Sequence, residues 1–164
     1  MILKLLNKNQ LKIDDFIFKC SIGLNGLSSN KKEGDLKTPK GSFKIGKLYY
    51  RRDRIKNISS NLNLVPINKK MLWCHDLTNK KFYNTLIYKK KYLKGESLYR
   101  KDYKYDMLIP IKYNTSKKIL GKGSCIFLHL TNNYKPTAGC IALKKQDFLI
   151  LLKIIKKNSK IIIN

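Results

Sequence analysis

Acidic residues are scarce in this chain: 10 Asp and Glu stand against 36 Lys and Arg over 164 residues, a formal charge of +26. Such a field favours polyanions such as nucleic acid, anionic lipid or acidic polymers. Arginine, however, occurs only at Arg51, Arg52, Arg54 and Arg100, and lysine is spread along the whole chain together with Ile and Asn. All three are encoded by AT-rich codons, so the charge reads first as base composition and only weakly as a partner signal. Cysteine is sparse too. Cys20, Cys74, Cys125 and Cys140 form no C-x-x-C pair and no disulfide-rich framework, so reduced thiols are expected. No stretch approaches the roughly 20 apolar residues of a membrane span. The first residues, MILKLLNKNQLKIDD, are interrupted by Lys4, Asn7, Lys8 and Lys12, which fits neither a signal-peptide core nor an anchor. As written, the sequence predicts a cytoplasmic chain, with the periplasm or cell envelope reached only by unconventional export or from a longer precursor. Neither G-x-x-x-x-G-K-[ST] nor G-x-G-x-x-G occurs, which removes the common phosphate-cradling loops.

What is present is mostly strand-like. Ile2–Leu6 and Leu11–Ile22 are rich in Ile, Leu and Phe, with Asn7-Lys8-Asn9 as a hairpin turn between them. Phe16, Phe18 and Cys20 alternate with Ile17, Lys19 and Ser21, close to a period of two. A Gly- and Lys-rich loop follows and ends in a short strand at Ser42–Leu48. Tyr103–Tyr113 reads as a further strand, with Pro110 pointing to an edge or a bulge. Lys145–Lys157 is the clearest helix, with Phe148, Leu149, Leu151, Leu152 and Ile155 on one broad face. Asp147 in its first turn and Lys153, Lys156 and Lys157 in its last suit the helix dipole. Asn158-Ser159 then breaks it, and Ile161–Ile163 reads as a final core strand. The length fits one domain, residues 1–164, with a real core.

Nucleic-acid signals are present but thin. Gly23-Leu24-Asn25-Gly26 matches the bare G-x-x-G of a KH loop, yet it follows a strand rather than joining helices. Lys40–Ile45 faintly echoes an RNA-recognition strand, with Ser42 where the first stacking aromatic belongs. Tyr and Lys interleave between Arg51 and Lys101, which suits either a stacking groove or half-buried surface rings; the second is the commoner arrangement. Trp73-Cys74-His75-Asp76 offers a metal ligand or second catalytic group in His75, or simply a loop histidine.

The chemistry concentrates in Gly123–Leu143. Ser124–Leu130 reads as a strand with Ile126, Leu128 and Leu130 on one face and Cys125, Phe127 and His129 on the other. A polar loop, Thr131–Thr137, leads through Ala138 and Gly139 to Cys140. Cys and His brought face to face across one tight loop supply a thiol nucleophile and its base. An imidazole beside the thiol raises the thiolate fraction and later protonates the leaving amine. Gly139 allows close backbone approach, and the amides of Gly139 and Cys140 are candidate oxyanion donors. Two other arrangements compete: a zinc site of Cys125, His129 and Cys140, short of a fourth ligand, and a pair of buried structural residues.

These residues stand in an ordered set with Lys32-Glu33-Gly34-Asp35, Lys37-Thr38-Pro39-Lys40-Gly41-Ser42-Phe43, Trp73-Cys74, Tyr83-Asn84, Phe127-Leu128-His129 and Thr137-Ala138-Gly139-Cys140-Ile141-Ala142-Leu143. Over most of its length the chain resembles the L,D-transpeptidase (YkuD) catalytic domain family. The resemblance implies a mainly β fold, a sandwich or partial barrel of mixed strands with a C-terminal helix. It implies a Cys140 thioester formed on a peptidoglycan stem peptide or muropeptide, with D-Ala expelled and an amine or water as acceptor. His129 would serve as base and then acid, its ring oriented by a backbone carbonyl near Leu130–Thr131. Gly139, Thr137, Ala138, Trp73, Tyr83 and Asn84 would contribute to oxyanion or substrate binding. No metal, cofactor, specific nucleic acid or membrane span is implied, and a monomer is expected. Ala138 stands where the commoner family signature carries a second His, and Ala142 where an Arg is frequent. His129 and Cys140 are eleven residues apart, closer than the usual interval. The Thr-Ala-Gly-Cys ending is more similar to one branch of that family. The contrasting expectation is a non-enzymatic basic β domain that binds an anionic polymer such as nucleic acid.

Overall fold

The computed structural model of the chain describes residues Met1–Asn164. The first apolar stretch folds as three antiparallel strands, β1 (Ile2–Asn7), β2 (Gln10–Ile13) and β3 (Phe16–Ser21). The expected single run Leu11–Ile22 is therefore split. Asp14 adopts a left-handed φ of 48° and turns the chain, a conformation Asp visits more readily than most residues. Phe18 and Cys20 are buried while Phe16 and Ile17 lie exposed.

The remaining strands are β4 (Leu27–Ser28), β5 (Thr38–Pro39), β6 (Gly41–Lys44), β7 (Leu48–Tyr50), β8 (Leu64–Pro66), β9 (Met71–Cys74), β10 (Leu86–Tyr88), β11 (Gly95–Ser97), β12 (Met107–Pro110), β13 (Phe127–Leu130), β14 (Ile141–Leu143) and β15 (Lys160–Ile163). The helix α1 (Lys145–Ile154) lies between the last two. Ten strands form one mixed sheet in the order β6-β15-β1-β2-β3-β14-β13-β12-β7-β8. This sheet curls on itself. Ile45, just past β6, bridges to Ile111, just past β12, and Lys112 N–H donates to Lys44 O at 2.8 Å. The fold is thus a mainly β, partly closed barrel with one C-terminal helix, within the expected class.

Pro110 lies in the interior of this sheet, not at an edge, and ends β12. Its carbonyl accepts from Gly46 N–H at 2.7 Å. A Cβ at Gly46 would sit 3.2 Å from Pro110 Cδ, so the missing side chain makes room for the ring. The helix ends at Ile154, shorter than the sequence spacing predicts, because Ile155 turns to an extended ψ of 141°. Its Phe148, Leu151 and Leu152 enter the core of 25 buried residues inside the curl. No helix is long and apolar enough to cross a membrane.

β12 and β13 are buried at all four positions each, which marks strands covered on both faces. One face is the barrel core, which holds Ile126, Leu128 and Leu130. The other carries a second cluster with Trp73, Tyr105, Phe127 and Cys140. The three-stranded sheet β10-β9-β11 supplies Trp73 to that outer layer. The expected division of faces along this stretch is the one observed, and it sets Phe127, His129 and Cys140 on the outer side.

Candidate active site

His129 and Cys140 come from neighbouring strands, but not through a hairpin. β13 and β14 run parallel, so the Thr131–Cys140 connection must travel back to the start of β13 before β14 begins. Register pairs Leu128 with Ile141, which brings Cys140 beside Phe127. Phe127 N–H donates to Cys140 Sγ at 3.3 Å, and the Cys140 thiol donates to Cys125 O at 3.2 Å. The strand here starts later than the sequence suggests. Cys125 takes a left-handed φ of 55°, and this kink turns its carbonyl toward the thiol.

Asn84 holds that kink. Its Oδ1 accepts from Cys125 N–H at 3.2 Å and from Trp73 Nε1–H at 2.9 Å. Its Nδ2 donates to Tyr113 O and Asn114 O at 2.9 and 2.8 Å. An amide with both ends engaged in a buried setting is a rigid junction.

The turn into Cys140 is equally fixed. Thr137 Oγ1 donates to Cys140 O at 2.6 Å and accepts from Gly139 N–H at 3.1 Å. Gly139 has a φ of +138°, and a Cβ there would lie 2.8 Å from Lys37 O. The Gly139 amide is thereby occupied and does not face an oxyanion. The Cys140 amide makes no hydrogen bond within the chain and remains available.

His129 Nδ1 lies 2.9 Å from Leu130 O. A carbonyl only accepts, so Nδ1 carries the hydrogen and Nε2 presents a lone pair. Tyr105 packs edge-on against the imidazole at 5.2 Å between centroids, and its hydroxyl donates to Glu96 at 2.6 Å. Arg100 stacks 5.0 Å from the Tyr105 ring and is held by Asp102 at 2.7 Å.

Cys140 and His129 open into one cavity of about 360 Å³, with Lys31, Glu33, Glu96, Arg100, Lys104 and Lys135 among its charged walls. No hydrogen bond links the two side chains at rest. Burial draws the His129 pKa down to about 4 and pushes the Cys140 thiol up to about 12. The positive charges of Lys104 and Arg100 depress the imidazole further. The resting pair is therefore neutral thiol and neutral imidazole, in contrast to the imidazole-assisted thiolate that sequence proximity suggests.

The cavity brings together Cys140, His129, Thr137 and Ala138. Gly139 backs its wall through the turn. Trp73, Tyr83 and Asn84 do not line it: Trp73 and Asn84 brace Cys125 from behind, and Tyr83 is fully buried with its hydroxyl on Glu33. His75 reaches the rim and is exposed. Tyr105, Glu96, Arg100 and Lys31 carry no local motif that marks them, and only the fold brings them to the cavity. No group of three or more His, Cys, Asp or Glu side chains is arranged to hold a metal ion, so Cys125, His129 and Cys140 do not form the zinc site considered above.

No curated protein matches the chain. Among solved structures, the helical cell shape determining protein Pgp2 (K307A mutant) from Campylobacter jejuni matches with a TM-score of 0.50 and 18% identity. The match covers 99% of this chain and 45% of that one, so this chain spans under half of its length. That likeness supports the fold. The family model of the L,D-transpeptidase catalytic domain, YkuD, matches residues 3–163, nearly the whole chain. With its ordered motifs and curled β architecture, the chain belongs to the L,D-transpeptidase catalytic domain (YkuD) family.

Proposed function

We propose that the chain is a cysteine acyltransferase of the L,D-transpeptidase type, acting on peptidoglycan stem peptides through a Cys140 thioester. The observation that carries this reading is the fixed pair in one cavity. His129 holds its Nε2 lone pair outward by the Leu130 bond, and Cys140 has a free backbone amide beside its thiol. A buried neutral pair suits general-base attack, because the proton moves only when a carbonyl is in place.

The thiol rotates from Cys125 O and gives its proton to His129 Nε2 as sulfur bonds to the carbonyl carbon. The carbonyl π pair moves to oxygen, where the Cys140 N–H meets it. The intermediate then collapses, the C–N bond to D-Ala breaks, and the imidazolium proton passes to the leaving amine. A thioester remains. An amine acceptor or water adds next, His129 takes its proton, and the Cys140 thiolate departs and is reprotonated. Tyr105, fixed by Glu96, keeps the imidazole in its plane of action.

Incubation with a tetrapeptide muropeptide should release free D-Ala, and Cys140→Ala should abolish the release. Adding a diamino acceptor separates transfer from hydrolysis: a cross-linked product marks the transpeptidase, and the tripeptide alone marks the carboxypeptidase. No D-Ala from a folded protein would count against the assignment to wall peptides.

A further inference from the structure

Of the two amides expected to serve as oxyanion donors, Gly139 and Cys140, only that of Cys140 stays free. Carbonyl attack is commonly supported by more than one fixed donor, and the Gly139 amide is committed to Thr137 Oγ1 at 3.1 Å. A charged side chain reaches the same cavity. Lys31 is 4% exposed, yet it lines the cavity with Cys140. Its Nζ lies 3.5 Å from the place a Cβ at Gly139 would occupy, on the residue bonded to Cys140.

The surroundings make room for this lysine and hold it still. Its stem crosses Gly123, where a Cβ would meet Lys31 Cε at 2.8 Å, and Gly123 has a φ of +97°. A side chain at Gly123 would displace it. Nζ donates to Asp35 Oδ1 at 2.6 Å and to Lys32 O at 3.4 Å, which leaves the third ammonium hydrogen free. Asp35 is itself immobilised by the N–H groups of Lys32 and Lys37, at 2.8 and 2.9 Å. Burying an ammonium is costly even when paired, so a purely structural brace would be better made with neutral groups. The Lys31 charge also pulls against the burial that raises the Cys140 thiol.

We propose that the Lys31 ammonium is the second oxyanion donor, stabilising the negative oxygen that forms when Cys140 attacks a carbonyl. This rests on Cys140 being the acyl nucleophile of the preceding section. The two claims separate in one experiment that compares two electrophiles at the same sulfur. p-Nitrophenyl acetate reacts through an oxyanion, whereas iodoacetamide reacts by direct displacement at carbon and forms none. Both need the thiolate, so their rate ratio largely removes any change in thiol acidity.

Lys31→Met should slow Cys140 acetylation about 100-fold while the alkylation rate changes by no more than about threefold. Lys31→Met/Asp35→Asn, which leaves no unpaired carboxylate, should show the same selective loss in protein that remains folded by circular dichroism. Lys31→Arg should recover part of the acetylation rate. Equal slowing of both reactions in Lys31→Met, or restored acetylation in the double variant, would show that Lys31 only braces the loop and would overturn the proposal. Wild-type protein that alkylates but never acetylates at Cys140 would instead overturn the acyl-nucleophile reading, and this one with it.

Discussion

At the residue scale, burial sets the resting charge of Cys140 and His129. The Cys140 thiol is pushed up to about 12, so iodoacetamide modification should keep accelerating through pH 10. A plateau below pH 8, measured by intact mass, would indicate a preformed thiolate–imidazolium pair and contradict the neutral resting state. His129 makes the converse prediction for stability. Its folded pKa is drawn from 6.5 to about 4, so the unfolded chain binds more protons between these values. Stability is therefore full above pH 6.5 and is lost as the pH falls toward 4, by about 3 kcal/mol at most. Urea unfolding at a series of pH values should show this slope, and His129→Gln should flatten it. An unchanged slope in the variant would mean that the imidazole is not buried as described.

Elements explain why these residues meet. β13 is placed by apolar alternation that the sequence displays openly, and its two faces were legible from Ile126–Leu130 alone. The parallel pairing of β13 with β14 was not, because a ten-residue polar connection reads equally well as a hairpin loop. Asp14-Asp15 likewise breaks a run whose apolar residues continue on both sides, a turn set by the left-handed backbone at Asp14 rather than by hydrophobic period. The role of Asn84 was hidden for a different reason. Its four partners come from β9, the Tyr113–Asn114 turn and the Cys125 kink, which only the folded chain assembles. Asn84→Ala leaves these groups unpaired and should cost about 3 kcal/mol or more in urea unfolding, with slower acylation of Cys140. A loss under about 1 kcal/mol would show that this junction does not hold the site.

Across the whole molecule, the barrel core and the outer aromatic layer share β12 and β13, so neither can open without exposing the other. We expect a single cooperative unit. Trp73 fluorescence reports the outer layer and far-ultraviolet circular dichroism the sheet, so their urea transitions should coincide. Earlier loss of the Trp73 signal would reveal a separable layer over the site. The lysines around the cavity mix with Glu33 and Glu96, so its walls carry both signs of charge. The central claim, a Cys140 acyl-enzyme, is tested most directly by intact mass after brief mixing with a tetrapeptide muropeptide. The account predicts an adduct of the substrate mass less D-Ala, present in the native chain and absent in Cys140→Ala. An adduct that persists in the variant would contradict it, as would unmodified protein under conditions where D-Ala is released.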